Sequence, residues 1–141
     1  MSASRARLYH RLQLAAHRVQ KSADRATLAA AQITTAQSAV LAVLTSGQYV
    51  TQRDIAGRLG INESAMTGMV GRLLRMKLIE RQRDDADERA WRLTLNQRGR
   101  AALKRIEKPF TNINRTLESV LEPDEIAHLA DYLTRISDAF G

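Results

Sequence analysis

Apolar positions in this chain recur at helical spacing almost throughout and alternate in only one short region. From about Ser4 to Ala30, Leu8, Leu12, Ala15, Ala16, Val19 and Ala23 follow i, i+3, i+4 spacing, which predicts one long amphipathic helix. Its stripe is narrow and rich in Ala, suited to close packing against another helix. Thr34 and Gln37 stand at capping-box spacing and open a second helix with Val40, Leu41, Val43 and Leu44 buried and Gly47 as its C-cap. Thr51 and Asp54 repeat the box, with Asp in place of the usual Glu or Gln. A short helix follows, with Ile55, Ala56 and Leu59 on one face and Gly60 at its left-handed end. Asn62 then caps another helix, along which Met66, Met69, Val70, Leu73 and Leu74 recur. Two short helices joined by a Gly-containing turn predict a helix-turn-helix.

The alternating region comes next. Leu78, Ile79 and Arg81 read as a short strand, and Trp91, Leu93 and Leu95 alternate with Arg92 and Thr94 as a second. The charged turn Asp84–Arg89 lies between them. A helix-turn-helix followed by a charged hairpin predicts a winged helix, whose chemistry points at DNA. Helical spacing then returns: Asn96 caps a helix carrying Ala101, Ala102, Leu103 and Ile106. Pro109 removes an N–H donor at a cost of about 3 kcal/mol, so a kink or break is expected near Glu107–Pro109. Ile113, Leu117, Val120 and Leu121 continue the pattern. Pro123, Asp124 and Glu125 open a last helix carrying Ile126, Leu129, Ala130, Leu133 and Ile136.

The terminal stripes have no sheet to pack on, so their simplest use is against a second copy of the chain. The expected architecture is therefore mainly α with a small β wing, a winged helix-turn-helix plus a helical dimerisation module. It divides into a dimerisation helix (1–32), a DNA-binding region (33–100) and C-terminal dimerisation helices (101–141).

Charge sharpens this reading. Lys and Arg number 22 against 15 acidic residues, a net charge of +7, and 11 of the basic residues fall between Arg72 and Arg105. The segment expected to meet a polyanion thus holds half of the positive charge. The first 23 residues carry five basic side chains and no acidic one, whereas Glu118–Gly141 has six acidic and one basic. There is no cysteine, which excludes disulfides, thiolate metal sites and thiol redox sensing. No apolar run approaches the roughly 20 residues that span a bilayer, and the basic N-terminus lacks a signal-peptide core, so a cytoplasmic protein is expected. No nucleophile elbow, P-loop or paired-carboxylate motif argues for an enzyme. His10 and His17 lie on similar sides of the first helix without a carboxylate at ligand spacing, and His128 has no recognisable partner, so neither metal nor cofactor is expected.

On the second helix of the helix-turn-helix, the face opposite Met66, Val70 and Leu73 carries Ser64, Ala65, Thr67, Gly68 and Gly71. The N-terminal part of such a helix meets base edges in the major groove. Ser64 and Thr67 can hydrogen-bond bases or phosphates, methyl groups of Ala65 or Thr67 can pack on thymine, and the two glycines permit close approach. Thr51 and Gln52 at the start of the preceding helix join the candidate DNA-binding set. Arg72 and Arg75 suit phosphates or an internal ion pair, and Arg81, Arg83 and Arg92 are phosphate candidates on the wing. Without Arg, Asn or Gln on the base-facing turn, direct readout is expected to be modest. Arg89 at the wing tip suits a narrow minor groove, with Asp87 holding its guanidinium.

The series Arg72-Leu73, Leu78-Ile79-Glu80-Arg81, Asp84, Asp87-x-Arg89, Leu93-x-Leu95 and Gly99, continued upstream by Gln37, Val40-Leu41 and Leu44, resembles the multiple antibiotic resistance regulator (MarR) family over about half the chain. The chain departs from that family at Lys77, where Gly is usual, so the recognition helix is expected to end without that inexpensive left-handed cap. Asp85 and Asn96 replace a frequent Pro and Thr. The resemblance implies a small strand around Gln48–Val50 joining the wing sheet. It also implies a homodimeric, ligand-responsive regulator, a repressor, on a pseudo-palindromic double-stranded operator. Its effector would be a small anion, an aromatic acid or an acyl-CoA thioester, with His17, Arg18 and Thr35 at matching pocket positions. The competing expectations are a winged-helix protein-interaction module and a sequence-neutral DNA-binding protein.

Overall fold

The computed structural model describes residues 7–47, 50–83 and 91–141. Its elements run α1 (Leu8–Ala31), α2 (Thr35–Val43) with a 3-10 turn (Leu44–Ser46), β1 (Val50–Thr51), α3 (Gln52–Leu59), α4 (Glu63–Arg75), β2 (Ile79–Arg83), β3 (Trp91–Leu95), α5 (Gln97–Ser119) and α6 (Pro123–Phe140). The chain divides into two compact units, Met1–Pro109 and Phe110–Gly141.

In the first unit, both expected capping boxes form. Thr34 Oγ1 accepts from the Gln37 N–H at 3.1 Å while Gln37 Oε1 accepts from the Thr34 N–H at 2.9 Å. Thr51 and Asp54 repeat the exchange at 3.1 and 3.0 Å. Each box satisfies N–H groups that a helix start otherwise leaves without partners. A further tie was not legible in the pattern. Asp24, on α1, accepts from both the Thr35 N–H (2.8 Å) and the Thr35 hydroxyl (2.7 Å), fastening α1 to the first turn of α2.

The sheet has three antiparallel strands in the order β1-β3-β2, with Val50 opposite Leu93, Ile79 opposite Leu95, and Arg83 opposite Trp91. The small strand implied by the family resemblance is thus present at Val50–Thr51. Side chains alternate across strands, so Ile79, Leu93 and Leu95 share a face that joins the core with Ile33, Val40, Leu41, Val50, Ile55, Met66 and Leu73. Met69, Leu59 and Leu74 are only half-buried, at the margins of their stripes.

Helix α4 does end in a left-handed cap, contrary to the expectation from Lys77. Lys77 itself adopts the left-handed conformation, φ 59°. The Leu78 N–H reaches Leu73 O at 3.1 Å and the Lys77 N–H reaches Leu74 O at 3.0 Å, the two bonds of a Schellman end. Asn96 secures the turn: its Nδ2 donates to Lys77 O at 2.8 Å, while its Oδ1 accepts from the Gly99 N–H at 2.9 Å and caps α5.

Gly99 is buried beneath this turn, where an added Cβ would overlap the Leu78 carbonyl oxygen and Leu95 Cδ1.

Of the kink or break expected near Glu107–Pro109, the break does not occur: Gln97–Ser119 is assigned as one helix with Pro109 inside it. Proline removes one hydrogen bond, and the bonds of the neighbouring turns suffice to carry the helix past it. In the second unit, α6 opens with the Glu122 N–H donating to Glu125 Oε1 at 2.8 Å and Pro123 at its first position. No residue of α6 is buried. Among the described residues, no single helix is long and apolar enough to cross a membrane.

Candidate nucleic-acid interface

Helices α3 and α4 form the expected helix-turn-helix. Gly60 takes φ 64° at the end of α3, and Asn62 Oδ1 accepts from the Ala65 N–H at 2.8 Å to start α4. Met66, Val70 and Leu73 are buried, which turns Ser64, Ala65, Thr67 and Gly68 outward as exposed residues. Gly71 is half-buried. Among the described residues, a Cβ added at Gly68 would meet nothing within 4 Å, and one at Gly71 would meet only the Arg75 side chain at 3.5 Å. Internal packing therefore gives no reason for either glycine, although both weaken the helix.

The candidate side chains are partly engaged with one another. Ser64 Oγ donates to Asn62 Oδ1 at 3.2 Å. The Thr67 hydroxyl donates to Glu63 O at 2.9 Å, and Gln52 Nε2 donates to Thr67 Oγ1 at 2.9 Å. Next to Gln52, Arg53 meets the Glu63 carboxylate at 3.3 Å, an exposed pair worth little by itself. The first two residues of α3 are thus laced to positions 67 and 63 of α4, one turn apart. The base-facing turn of the recognition helix has no Arg, Asn or Gln of its own; the fold brings an amide to it from α3. No local signal could have revealed this, since the partners are 15 residues apart.

Thr51 works from within, as the cap of α3. Its backbone N–H, which donates to Asp54, is the largest cause holding that carboxyl below the usual carboxylate range. The Thr51 hydroxyl is next and Arg58 adds a smaller attraction, while burial acts the other way.

Between the start of α2 and the outer face of α4 runs an open groove of about 410 Å³, lined by Thr34 and Gln37 on one side and by Ser64, Ala65, Gly68, Met69, Arg72 and Arg75 on the other. Among the described residues neither Arg72 nor Arg75 forms an ion pair.

On the wing, Arg81 and Arg83 share a face of β2, and their guanidinium carbons lie 4.5 and 5.1 Å from the centre of the Trp91 ring. Arg92, on β3, donates to Gln82 Oε1 at 3.2 Å. By its pattern Trp91 is only an apolar strand residue; the cross-strand register places it opposite Arg83. Asp87 and Arg89, with the rest of the wing tip, lie outside the described residues.

The candidate effector residues do not all converge. His17 lines an open groove of about 550 Å³ with Gln20, Lys21, Asp24, Arg25 and Leu28. Arg18 is exposed and is not among those residues, and Lys21 and Arg25 supply the cations instead. The Thr35 hydroxyl is given to Asp24, itself on the groove.

Residues 31–90 match a family model described as MarR family. The structure is similar to that of the transcriptional repressor CouR bound to a 23-mer DNA duplex, with 31% sequence identity, a TM-score of 0.84 and 92% of each chain covered. It is similar also to the PcaV transcriptional regulator from Streptomyces coelicolor in complex with its natural ligand, with 28% identity and a TM-score of 0.78 over 96% of this chain and 93% of that one. The S. aureus MepR–DNA complex gives 26% identity and a TM-score of 0.83 over 94% and 97%. Comparison with curated protein sequences gives no significant match.

Proposed function

The chain belongs to the MarR family, and from that premise we propose that it is a homodimeric, ligand-responsive transcriptional repressor of a pseudo-palindromic DNA operator. The observation that carries the reading is the outer face of α4. Ser64, Ala65, Thr67 and Gly68, all exposed, hold only small or hydroxyl side chains, the helix start is firmly capped, and Arg72 and Arg75 continue the same face. Such a face fits the floor of a major groove with cations reaching the phosphates beside it. Thr51 and Gln52 approach the duplex from the start of α3. Arg83 adds a phosphate contact from the wing, and Arg89, oriented by Asp87, enters the minor groove at the wing tip. CouR and MepR have been seen on DNA, which supports the same use here.

Dimerisation uses the helices outside 33–100. The support is physical: α6 buries no residue, and Leu8, Leu12, Leu129 and Leu133 are all exposed. The effector is a small anion, an aromatic acid or an acyl-CoA thioester, meeting His17 with Lys21 and Arg25 of the same groove, while Arg18 remains the outlying candidate. PcaV, with its natural ligand bound, supports ligand responsiveness. A ligand releases DNA only by the difference between its affinities for the two forms of the dimer.

The test is to recover duplexes bound from the genome and to compare affinity for the recovered site with that for random DNA. A ratio within about 10³–10⁷ is expected of a specific binder. A ratio near one would replace the repressor with a sequence-neutral DNA-binding protein, and no tight duplex binding at low salt would leave an interaction module.

A further inference from the structure

We propose that Gln52 is a specificity-determining residue that reads an adenine in the major groove, its carboxamide turned and held by Thr67. The inference rests on the DNA-binding reading above and deepens it.

A threonine hydroxyl has a single hydrogen to donate. At Thr67 that hydrogen goes to the Glu63 carbonyl, 2.9 Å away and one helical turn earlier. Toward Gln52, therefore, Thr67 Oγ1 can only accept. The group facing it at 2.9 Å must be the amide NH₂ and not the amide oxygen. An exposed glutamine ordinarily turns either end of its amide to a neighbour; here the chemistry of Thr67 selects one.

That selection leaves a defined pattern facing outward. With the N–H anti to the carbonyl given to Thr67, the syn N–H and the carbonyl oxygen lie side by side on the amide plane. A donor beside an acceptor matches adenine, which offers N7 as acceptor and its N6 amino group as donor in the major groove. Guanine offers two acceptors there, cytosine a donor without N7, and thymine an acceptor and a methyl group. Adenine is the base that uses both free positions of this amide.

The surroundings favour the same reading. Gln52 is the first residue of α3, so its backbone is fixed by the Thr51 cap. The Arg53–Glu63 pair ties the same two helix starts together. Around Thr67, Ser64, Ala65 and Gly68 carry no long side chain that would hold a base away from the amide. The tether also removes side-chain freedom before DNA arrives, which lowers the entropic cost of the contact.

The test uses the full-length protein and a library of randomised duplexes. Wild type should select a site with a strong A·T preference at one position per half-site. Gln52→Ala and Gln52→Met, the latter keeping the stem and losing the amide, should lower discrimination at that position on the order of tenfold, other positions unchanged. Thr67→Val, which keeps the shape and loses the hydroxyl, should relax the same position, and Thr67→Ser should restore it. Thermal melting of each variant checks that the fold is intact. If both Gln52 variants weaken binding equally for all sequences, Gln52 serves a phosphate or staples the helices, and the inference falls while the DNA-binding reading stands. If the wild type itself selects no sequence, the inference falls together with the operator-specific repressor reading.

Discussion

At Gly99 an added Cβ would run into the Leu78 carbonyl oxygen, a backbone atom with no room to give, and into Leu95 Cδ1. Gly99→Ala should therefore destabilise the fold by about 1–3 kcal/mol, the range for forced overpacking, read as a lower urea midpoint. An unchanged midpoint would mean that the α4–β2 turn can shift. Gly68 predicts the opposite sign. Its missing Cβ leaves open space among the described residues, so Gly68→Ala should stabilise the chain by about 0.5–1 kcal/mol. The same methyl, on the face proposed to enter the groove, should weaken operator binding. Stability rising with affinity unchanged would remove Gly68 from the interface. Neither reason was legible in the sequence. Gly99 was visible as a motif residue, but the atom that demands it belongs to Leu78. Thr67 was visible as a hydroxyl, but its proton and its bond to Gln52 depend on a helix packing that no spacing rule encodes.

The helix starts were the most legible elements, because a cap depends on residues three apart. Thr34, Thr51 and Asn62 each cap the helix expected of them. The start of α3 also carries a pH dependence. The folded Asp54 carboxyl titrates below its unfolded value, so its contribution is fully present above an ordinary aspartate pKa of about 3.9 and is lost as pH falls through the lowered folded value. Asp54→Asn should be less stable than wild type near neutral pH, and the gap should close as pH falls from about 5 to about 3. Urea midpoints measured across that range check it; two parallel curves would detach the cap from the carboxylate charge. Less legible were the features in which one effect outweighs another. Pro109 was expected to kink or break α5, and the helix is not broken there. Lys77 accepts a left-handed backbone in place of the usual Gly because two Schellman bonds and the Asn96 amide fix the turn around it.

For the whole molecule, the terminal stripes and the second copy expected to cover them were read from the sequence, and in the single chain those stripes face solvent. Leu8 is 62% exposed, Leu129 41% and Phe140 91%. Exposed apolar side chains in such number favour a second copy as cover. Light scattering at micromolar concentration should give twice the chain mass of 15.8 kDa, and Leu12→Glu should lower both that mass and the duplex affinity. A monomer mass in the wild type would break the dimer proposal. Assembly and wing engagement can then be followed separately, owing to the cation-flanked ring at the wing root. Trp91 is the chain's one tryptophan, so ultraviolet excitation at its absorption edge lights a single place in each copy. Two guanidinium groups stand within about 5 Å of that ring. A phosphate that draws either cation away alters the field across the indole and so shifts its emission. The wing thus carries a label-free optical gauge, which needs no dye and has no background from any other tryptophan in the chain.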